Sequence, residues 1–138
     1  MIKIQKKDFD LENEIQSIKE KYSSIGAVNS FIGYVKDFNE YKEVKFLEIE
    51  VYEQMAVNEL SKIRKNAIKK FNLIDSLIIH RYGKLNVNEK IVLVVCFSVH
   101  RHDSFEATKF IMDYLKKNAP FWKKETYDSG SNWIKNII

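Results

Sequence analysis

Residues 98–103 carry a cluster of side chains that could bind an anion. His100 and Arg101 are adjacent, and they stand where a predicted buried strand meets a predicted helix. Unpaired backbone N–H groups and the helix dipole favour negative charge at a helix N-terminus. The planar guanidinium of Arg101 suits a phosphate, and His100 can change its protonation near neutral pH. The segment predicts an anion site; in the alternative, Arg101 pairs with a nearby carboxylate and the histidines are solvated.

Residues 116–125 form a second candidate site, in which two pairs of lysines flank a Pro-Phe-Trp sequence. An apolar wall beside an ammonium group disfavours the charged form and lowers the pKa of the lysine. A lysine in that state can act as an acid, a base or a nucleophile. The alternative is structural, since lysines in the last turn of a helix stabilise its C-terminal end.

A third candidate lies at the end of the predicted second strand, where Gly33 permits close approach of the backbone and Lys36 could reach an anion. The alternative is a strand end with a solvated lysine. The sequence has no glycine-rich phosphate loop and no Cys/His spacing typical of zinc, so we expect no bound metal. Cys96 falls in a hydrophobic segment and is predicted to be a core residue, and His80 fits either core or surface.

The spacing of apolar residues predicts the elements that position these segments. Strands are predicted at 2–4, 27–35, 44–52, 77–82 and 90–99, with a last strand near the end, and helices at 11–22, 56–71 and from 103 towards Pro120. Asp103 and Glu106 resemble a capping box, and residues 37–42 are predicted to be a loop. Two pairs of strands have no helix between them. This favours an α+β fold, with two layers in which helices pack on a mixed or antiparallel sheet.

Length and composition limit the class of protein. The chain has 138 residues, of which 45% are hydrophobic and 30% charged, as expected for one domain spanning 1–138. The single cysteine excludes an internal disulfide, and the longest apolar run, 91–99, is shorter than the ~20 residues of a membrane helix. The N-terminus lacks a recognisable secretory signal, so we expect a cytoplasmic protein. A net charge of +4 permits anionic partners, but without a binding motif we expect no nucleic acid.

The first two candidate sites lie at opposite ends of one predicted helix. Thirteen residues separate Asp103 from Lys116, which corresponds to about 20 Å at the rise of an α-helix. A small ligand cannot easily touch both ends within one chain. If one pocket uses both groups, the second group comes from another copy, as in a two-fold dimer with two composite pockets.

Several separated motifs occur in the order found in one known family. They are Gly26-Ala27-Val28 with Phe31, Gly33 and Val35-Lys36-Asp37; Leu47-Glu48-Ile49-Glu50 with Tyr52, Met55 and Ala56; His80-Arg81 with Gly83; His100-Arg101 with Phe105-Glu106-Ala107; and Pro120-Phe121-Trp122-Lys123-Lys124-Glu125. From about Gly26 to Trp133, the chain resembles the large, catalytic subunit of molybdopterin synthase.

This resemblance implies an α/β hammerhead fold and a sulfur-transferring enzyme. The family converts cyclic pyranopterin monophosphate to molybdopterin by installing two sulfurs as a dithiolene. The sulfur arrives as a thiocarboxylate on the C-terminal Gly-Gly tail of a small ubiquitin-like subunit, and no metal or dissociable cofactor takes part. The implied assembly is a heterotetramer, with a central homodimer of large subunits and one small subunit at each end.

The resemblance also implies roles for individual residues. Lys116 and Lys123 match the two catalytic lysines, which lie beside the thiocarboxylate and the substrate, and Lys116 is expected to matter most. His100 and Arg101 match the pair that contacts the anionic group of the substrate from the neighbouring large subunit. Further substrate-binding positions are Tyr34, Val35, Lys36, Lys124 and Glu125, and pocket-lining positions are Phe31, Met112, Pro120 and Trp122.

Two features depart from the family pattern. Lys36 stands where members more often have arginine, so it keeps the charge but loses the bidentate fork. The chain extends five residues beyond Trp133, whereas members often carry a longer basic tail, whose contacts we expect to be missing or replaced. These departures keep open a second hypothesis, a non-catalytic module that binds a ubiquitin-like tail or an anionic metabolite on the same fold.

Overall fold

The computed structural model describes residues 1–40, 42–118 and 120–134. In chain order the elements are β1 (Ile2–Gln5), α1 (Leu11–Lys19), β2 (Ala27–Tyr34), β3 (Phe38–Asn39), β4 (Lys42–Glu43), β5 (Phe46–Val51), α2 (Glu53–Phe71), β6 (Asp75–Arg81), β7 (Gly83–Asn86), β8 (Lys90–Ser98), α3 (Arg101–Asn118), β9 (Phe121–Tyr127) and β10 (Gly130–Ile134).

The first sheet has the strand order β1-β6-β8-β2. β1 and β6 run parallel, whereas β8 is antiparallel to both of its neighbours, so the sheet is mixed as predicted. Every residue from Ile91 to Ser98 is buried. A strand that is apolar on both faces must be covered on both, which explains the central position of β8 and confirms the predicted burial of this strand.

Helices cover the first sheet on both faces. The predicted apolar stripe of α2, which includes Leu60 and Ile63, is buried with α3 against one face. α1 packs Ile15 and Ile18 on the opposite face, and the carboxylate of Asp10 caps it by accepting a hydrogen bond from the Asn13 backbone N–H at 2.9 Å. The α+β class is confirmed, and α1 adds a further layer to the two that were predicted.

The second sheet is fully antiparallel, with the strand order β10-β9-β5-β7. Only Tyr82 separates β6 from β7, so the chain passes directly from the first sheet to the second. Gly83 lies at this crossing with φ at +91°, a backbone conformation that residues with a Cβ rarely adopt. The second sheet therefore begins immediately after the buried end of β6.

Several predicted boundaries were wrong. Residues 37–42, predicted to be a loop, include β3 and part of a short hairpin with β4, which the polar sequence did not indicate. Two strands, rather than one, follow the last helix. Helix α3 already begins at Arg101, so Asp103 lies in its first turn instead of capping it. Its acidic side chain still stabilises that end through the helix dipole.

No helix in the described ranges is long and apolar enough to cross a membrane.

Candidate active site

The motif at residues 120–125 is divided between the two faces of β9. Successive side chains of a strand point to opposite faces. Phe121 and Glu125 are buried and Lys123 is partly buried, and these three share the inner face. Trp122 is 49% exposed on the outer face. The lysines of the second pair, Lys123 and Lys124, therefore point in opposite directions.

Lys123 is the lysine with a lowered pKa. In the register of the second sheet it lies opposite Ile49 on one side and Ile134 on the other. Burial lowers the pKa of Lys123 from 10.5 to about 8, because a partly buried ammonium loses hydration. This agrees with the prediction that apolar surroundings lower the pKa of a lysine in this segment. Within the Pro-Phe-Trp sequence, Phe121 shares the face of Lys123, whereas Trp122 lies on the other face of the strand.

His80 lies under the same face of β9. Its ring stacks on that of Phe121 with 3.6 Å between ring centroids and 10° between ring planes. Nδ1 lies 2.8 Å from the Arg81 carbonyl oxygen, and since a carbonyl only accepts, Nδ1 carries the proton and donates. Burial, followed by the positive charge of Lys123, lowers the pKa of His80 to about 3. The ring is neutral at physiological pH.

This contact was not predicted from the sequence. His80 follows three buried apolar residues in β6, and its stacking partner Phe121 is 41 positions further along the chain. The preceding apolar residues were the available signal for burial of His80. The approach of the two sheets, which decides what the ring touches, cannot be read from that run.

Glu125 is fully buried and joins β9 to the hairpin of β3 and β4. Its Oε1 accepts hydrogen bonds from the Asn39 side-chain amide at 2.7 Å and from the Tyr127 hydroxyl at 2.6 Å. Its Oε2 has no hydrogen-bond partner among the residues that the structure describes. The bond to Glu125 raises the pKa of Tyr127 to about 12, because ionising the tyrosine would break it.

Aromatic side chains form a separate concave surface on the outer face of the second sheet. Trp122 meets Tyr52 edge to face at 6.2 Å between ring centroids. These two rings line a space of about 370 Å³ together with Glu50, Val51 and Trp133. Lys124 lies 3.9 Å from a carboxylate oxygen of Glu48 and 5.5 Å from the centroid of the Trp133 ring.

Lys116 lies in the last two turns of α3 and is exposed, and Pro120 is buried where the chain turns from α3 into β9. Both catalytic candidates are therefore carried by elements that meet at one end of α3. Phe31 and Met112 are partly buried against the main hydrophobic core. Phe31 lies on β2 and Met112 on α3, and these two elements pack against each other.

The opposite end of α3 forms an open cavity of about 640 Å³, lined by Gly26, Ala27, Val99, His100, Arg101, His102 and Phe105. A Cβ on Gly26 would lie 2.1 Å from the Val99 carbonyl oxygen, so only glycine lets these two backbone segments approach this closely. His100 and Arg101 are exposed. Within the described ranges Arg101 has no ion-pair partner, which disfavours the alternative of a local carboxylate pair.

The third candidate segment follows β2. Tyr34 is 48% exposed, Val35 is fully buried and Lys36 is exposed. The Val35 backbone is held on both sides, because its N–H donates to the Glu89 carbonyl at 2.9 Å and its carbonyl accepts from the Asn88 N–H at 2.8 Å. The backbone position from which Lys36 projects is therefore fixed.

One chain does not bring all the predicted site residues together. Fifteen residues separate Arg101 from Lys116 within α3, which corresponds to about 22 Å along the helix axis. The cavity lined by His100 and Arg101 and the partly buried Lys123 thus lie in two separate regions of the chain. No cluster of three or more His, Cys, Asp or Glu side chains that could hold a metal ion occurs among the described residues.

Comparison with known proteins shows that this chain and its fold are similar to one class of protein, the molybdopterin synthase catalytic subunits. A curated protein of that name from Ralstonia nicotianae is 47% identical over 133 residues, covering 96% of this chain and 76% of the relative. The molybdopterin biosynthesis MoaE protein from Burkholderia ambifaria has a structure that superposes with a TM-score of 0.85 at 40% identity. That match covers 99% of this chain and 89% of the other.

A chain from a Helicobacter pylori structure shares the fold at lower identity. That structure is described as a complex of subunits 1 and 2 of the molybdopterin-converting factor. Its TM-score is 0.80 at 20% identity, with 97% of this chain and 90% of that chain covered.

The sequence profile of the MoaE protein family matches residues 4–118. The chain belongs to the MoaE family, as the motifs at residues 26–133 indicated.

Proposed function

We propose that this chain is the catalytic subunit of a molybdopterin synthase, and that it converts cyclic pyranopterin monophosphate to molybdopterin. The two sulfurs come from the C-terminal thiocarboxylates of two copies of a small ubiquitin-like subunit, one sulfur from each, so the reaction requires no further cofactor. Membership of the MoaE family supports the reaction class. Curated relatives named molybdopterin synthase catalytic subunit are 37–47% identical to this chain. The observation that carries the proposal for this chain is Lys123, a partly buried lysine whose pKa is lowered to about 8.

Lys123 and Lys116 transfer protons during the reaction. The thiocarboxylate sulfur attacks a side-chain carbon of the pterin, and hydrolysis of the acyl–sulfur bond leaves the sulfur on the pterin and a carboxylate on the spent tail. Opening of the cyclic phosphate requires a proton at the oxygen that leaves. A lysine with a pKa of about 8 can give or take a proton near neutral pH at little cost.

The substrate phosphate binds to positive charge at the other end of α3. His100 and Arg101 hold it, because a guanidinium is a charge-assisted donor to phosphate oxygens and an imidazole N–H can donate a further hydrogen bond. Lys36 adds a single-point contact, as an ammonium lacks the fork of arginine. Tyr34, Val35, Lys124 and Glu125 complete the substrate contacts, and Phe31, Met112, Pro120 and Trp122 line the pocket. We assign Glu125 an indirect part of this role, through the hydrogen bonds that fix β9.

The active site is shared between two copies of the chain. The two ends of α3 are about 22 Å apart, so the phosphate held by one copy lies beside Lys116 and Lys123 of the second. The complete assembly is a heterotetramer with a small subunit at each end of the homodimer, and the complex from Helicobacter pylori supports a partner of this kind. Each chain acts as a single domain, and the assembly is cytoplasmic.

A conversion assay tests the proposal. The purified chain is mixed with a thiocarboxylated small subunit and the pyranopterin precursor, and the dithiolene product is detected by the fluorescence of its oxidised pterin. Lys116→Ala abolishes product and leaves dimerisation intact. Lys117→Ala is the matched control, since it removes an equally exposed lysine from the same helical turn and retains activity.

Two results would contradict the proposal. Near-normal turnover by Lys116→Ala would remove that lysine from the mechanism. A wild-type chain that binds the small subunit but forms no product would instead support a non-catalytic binding module.

A further inference from the structure

We propose that His80 is a positioning residue for Lys123: its neutral ring, stacked on Phe121, forms the dry floor against which the Lys123 side chain is held. This inference rests on the proposed catalytic role of Lys123, but it concerns a residue outside the matched lysine motif. His80 itself touches no substrate in this role.

The stack joins the two sheets of the molecule. His80 belongs to β6 in the first sheet, whereas Phe121 begins β9 in the second. Lys123 follows Phe121 by two positions and therefore projects from the same face of the strand. Because the stack holds this end of β9 against β6, it also fixes the backbone position from which the Lys123 side chain projects.

The ring of His80 is fixed in its plane. Its Nδ1–H donates to the carbonyl of the next residue, Arg81, at 2.8 Å, and its face is covered by the Phe121 ring at 3.6 Å. Only 2% of His80 is exposed. A planar side chain held by one hydrogen bond and one stacked contact leaves little space for water beneath Lys123.

Burial keeps the ring of His80 neutral, and the charges around it add to this effect. Lys123 is the neighbour on β9 whose positive charge opposes protonation of the ring. On β6 itself, the Arg81 guanidinium is engaged elsewhere, since it donates to the Lys6 and Lys90 carbonyls and pairs with Glu89. A second positive charge at position 80 would lie next to the ammonium, so burial and repulsion act in the same direction.

Loss of this floor changes Lys123 in a predictable direction. In His80→Ala, water enters the space left by the ring and hydrates the ammonium. Hydration favours the charged form, so the pKa of Lys123 rises from about 8 towards the ordinary value of 10.5. In His80→Phe, a planar ring still stacks on Phe121, and the pKa of Lys123 stays near 8 or falls.

The experiment measures the reactivity of the Lys123 amine as a function of pH, by competitive acetylation and mass spectrometry on the whole chain without substrate or partner. The matched control is Ile78→Ala, which removes a buried side chain from the same face of β6, two positions before His80. We expect the labelling midpoint of Lys123 to rise in His80→Ala and to stay unchanged in His80→Phe and Ile78→Ala. We also expect kcat of His80→Ala to fall by about tenfold to 100-fold with little change in KM.

An unchanged midpoint in folded His80→Ala would overturn the proposal, as would an equal rise in Ile78→Ala. If His80→Ala does not fold, Phe121→Leu removes the other half of the stack and must raise the midpoint, whereas His80→Phe must not. Because labelling needs no turnover, the predicted midpoints in a chain without synthase activity would contradict the proposed function and leave the positioning role of His80 intact.

Discussion

The two ends of α3 carry the same kind of charge in opposite surroundings. At the N-terminal end, His100 and Arg101 are exposed in an open cavity. Beyond the C-terminal end, Lys123 is held between two sheets, and burial lowers its pKa to about 8. A hydrated guanidinium keeps its charge and can bind, whereas a desolvated ammonium can exchange its proton. In the proposed reaction, exposure rather than residue type separates the binding role from the proton-transfer role.

The largest expected effect comes from removing one charge at each end. Arg101→Ala loses a charge-assisted bond worth about 1.5–3 kcal/mol, so KM rises by about tenfold to 100-fold while kcat changes little. Lys123→Ala loses the proton transfer, so kcat falls by about 100-fold to 10,000-fold. Steady-state kinetics of the two variants measure this difference directly. If both variants changed the same constant, the assignment of binding and chemistry to different ends would be wrong.

An intermediate effect concerns stability and pH. Lys123 binds its proton below about pH 8 in the folded chain and below 10.5 when unfolded. Between these values the unfolded state holds more protons, so the free energy of unfolding rises with pH, by up to about 3 kcal/mol. This contribution is lost as the pH falls through 8. Urea unfolding of the wild type at about pH 7.5, 9 and 10.5 measures this rise in the free energy of unfolding.

Two variants isolate that contribution. Lys123→Met removes the titrating group, so the rise in the free energy of unfolding attributable to Lys123 disappears. Lys124→Met, on the outer face of the same strand, retains it. If the free energy of unfolding changed with pH equally in the wild type and in Lys123→Met, Lys123 would not be desolvated.

The smallest expected effect lies in the hydrogen bonds of Glu125. Tyr127→Phe removes one of the two donors to Oε1 and leaves the Asn39 amide in place. We expect the free energy of unfolding to fall by about 1 kcal/mol, with a smaller loss of activity than for Lys123→Ala. Chemical denaturation measures the change, and Tyr34→Phe, which removes an exposed hydroxyl, serves as the control. A Tyr127→Phe variant as stable as wild type would show that this bond does not hold β9.

The sequence predicted the parts of the molecule that follow a clear periodicity. The apolar run at 91–99 identified the central strand, and the stripe through Leu60 and Ile63 identified α2. The hairpin of β3 and β4 was missed because its residues are mostly polar and too few to alternate. The strand β9 was not delimited, because its lysines and glutamate hide the alternation of buried positions.

The candidate residues were predictable, whereas their relative positions were not. The motif at 120–125 identified Lys123, but without the bounds of β9 the sequence could not show that Trp122 lies on the other face. His80 was ambiguous for a related reason, since its partner Phe121 comes from a distant segment. Contacts between the two sheets depend on the turn at Gly83 and on strand register, neither of which is a local property of the sequence.

The most direct test of the central claim is complementation between two impaired variants, assayed at a substrate concentration well below KM. Arg101→Ala and Lys123→Ala are co-expressed with different tags, and the mixed dimers are assayed for product formation. If the two ends of α3 meet across a dimer, each mixed dimer contains one site with both groups out of two, so the isolated mixed dimers have about half of the wild-type activity. Activity no greater than that of the two variants assayed separately would contradict a site shared between copies.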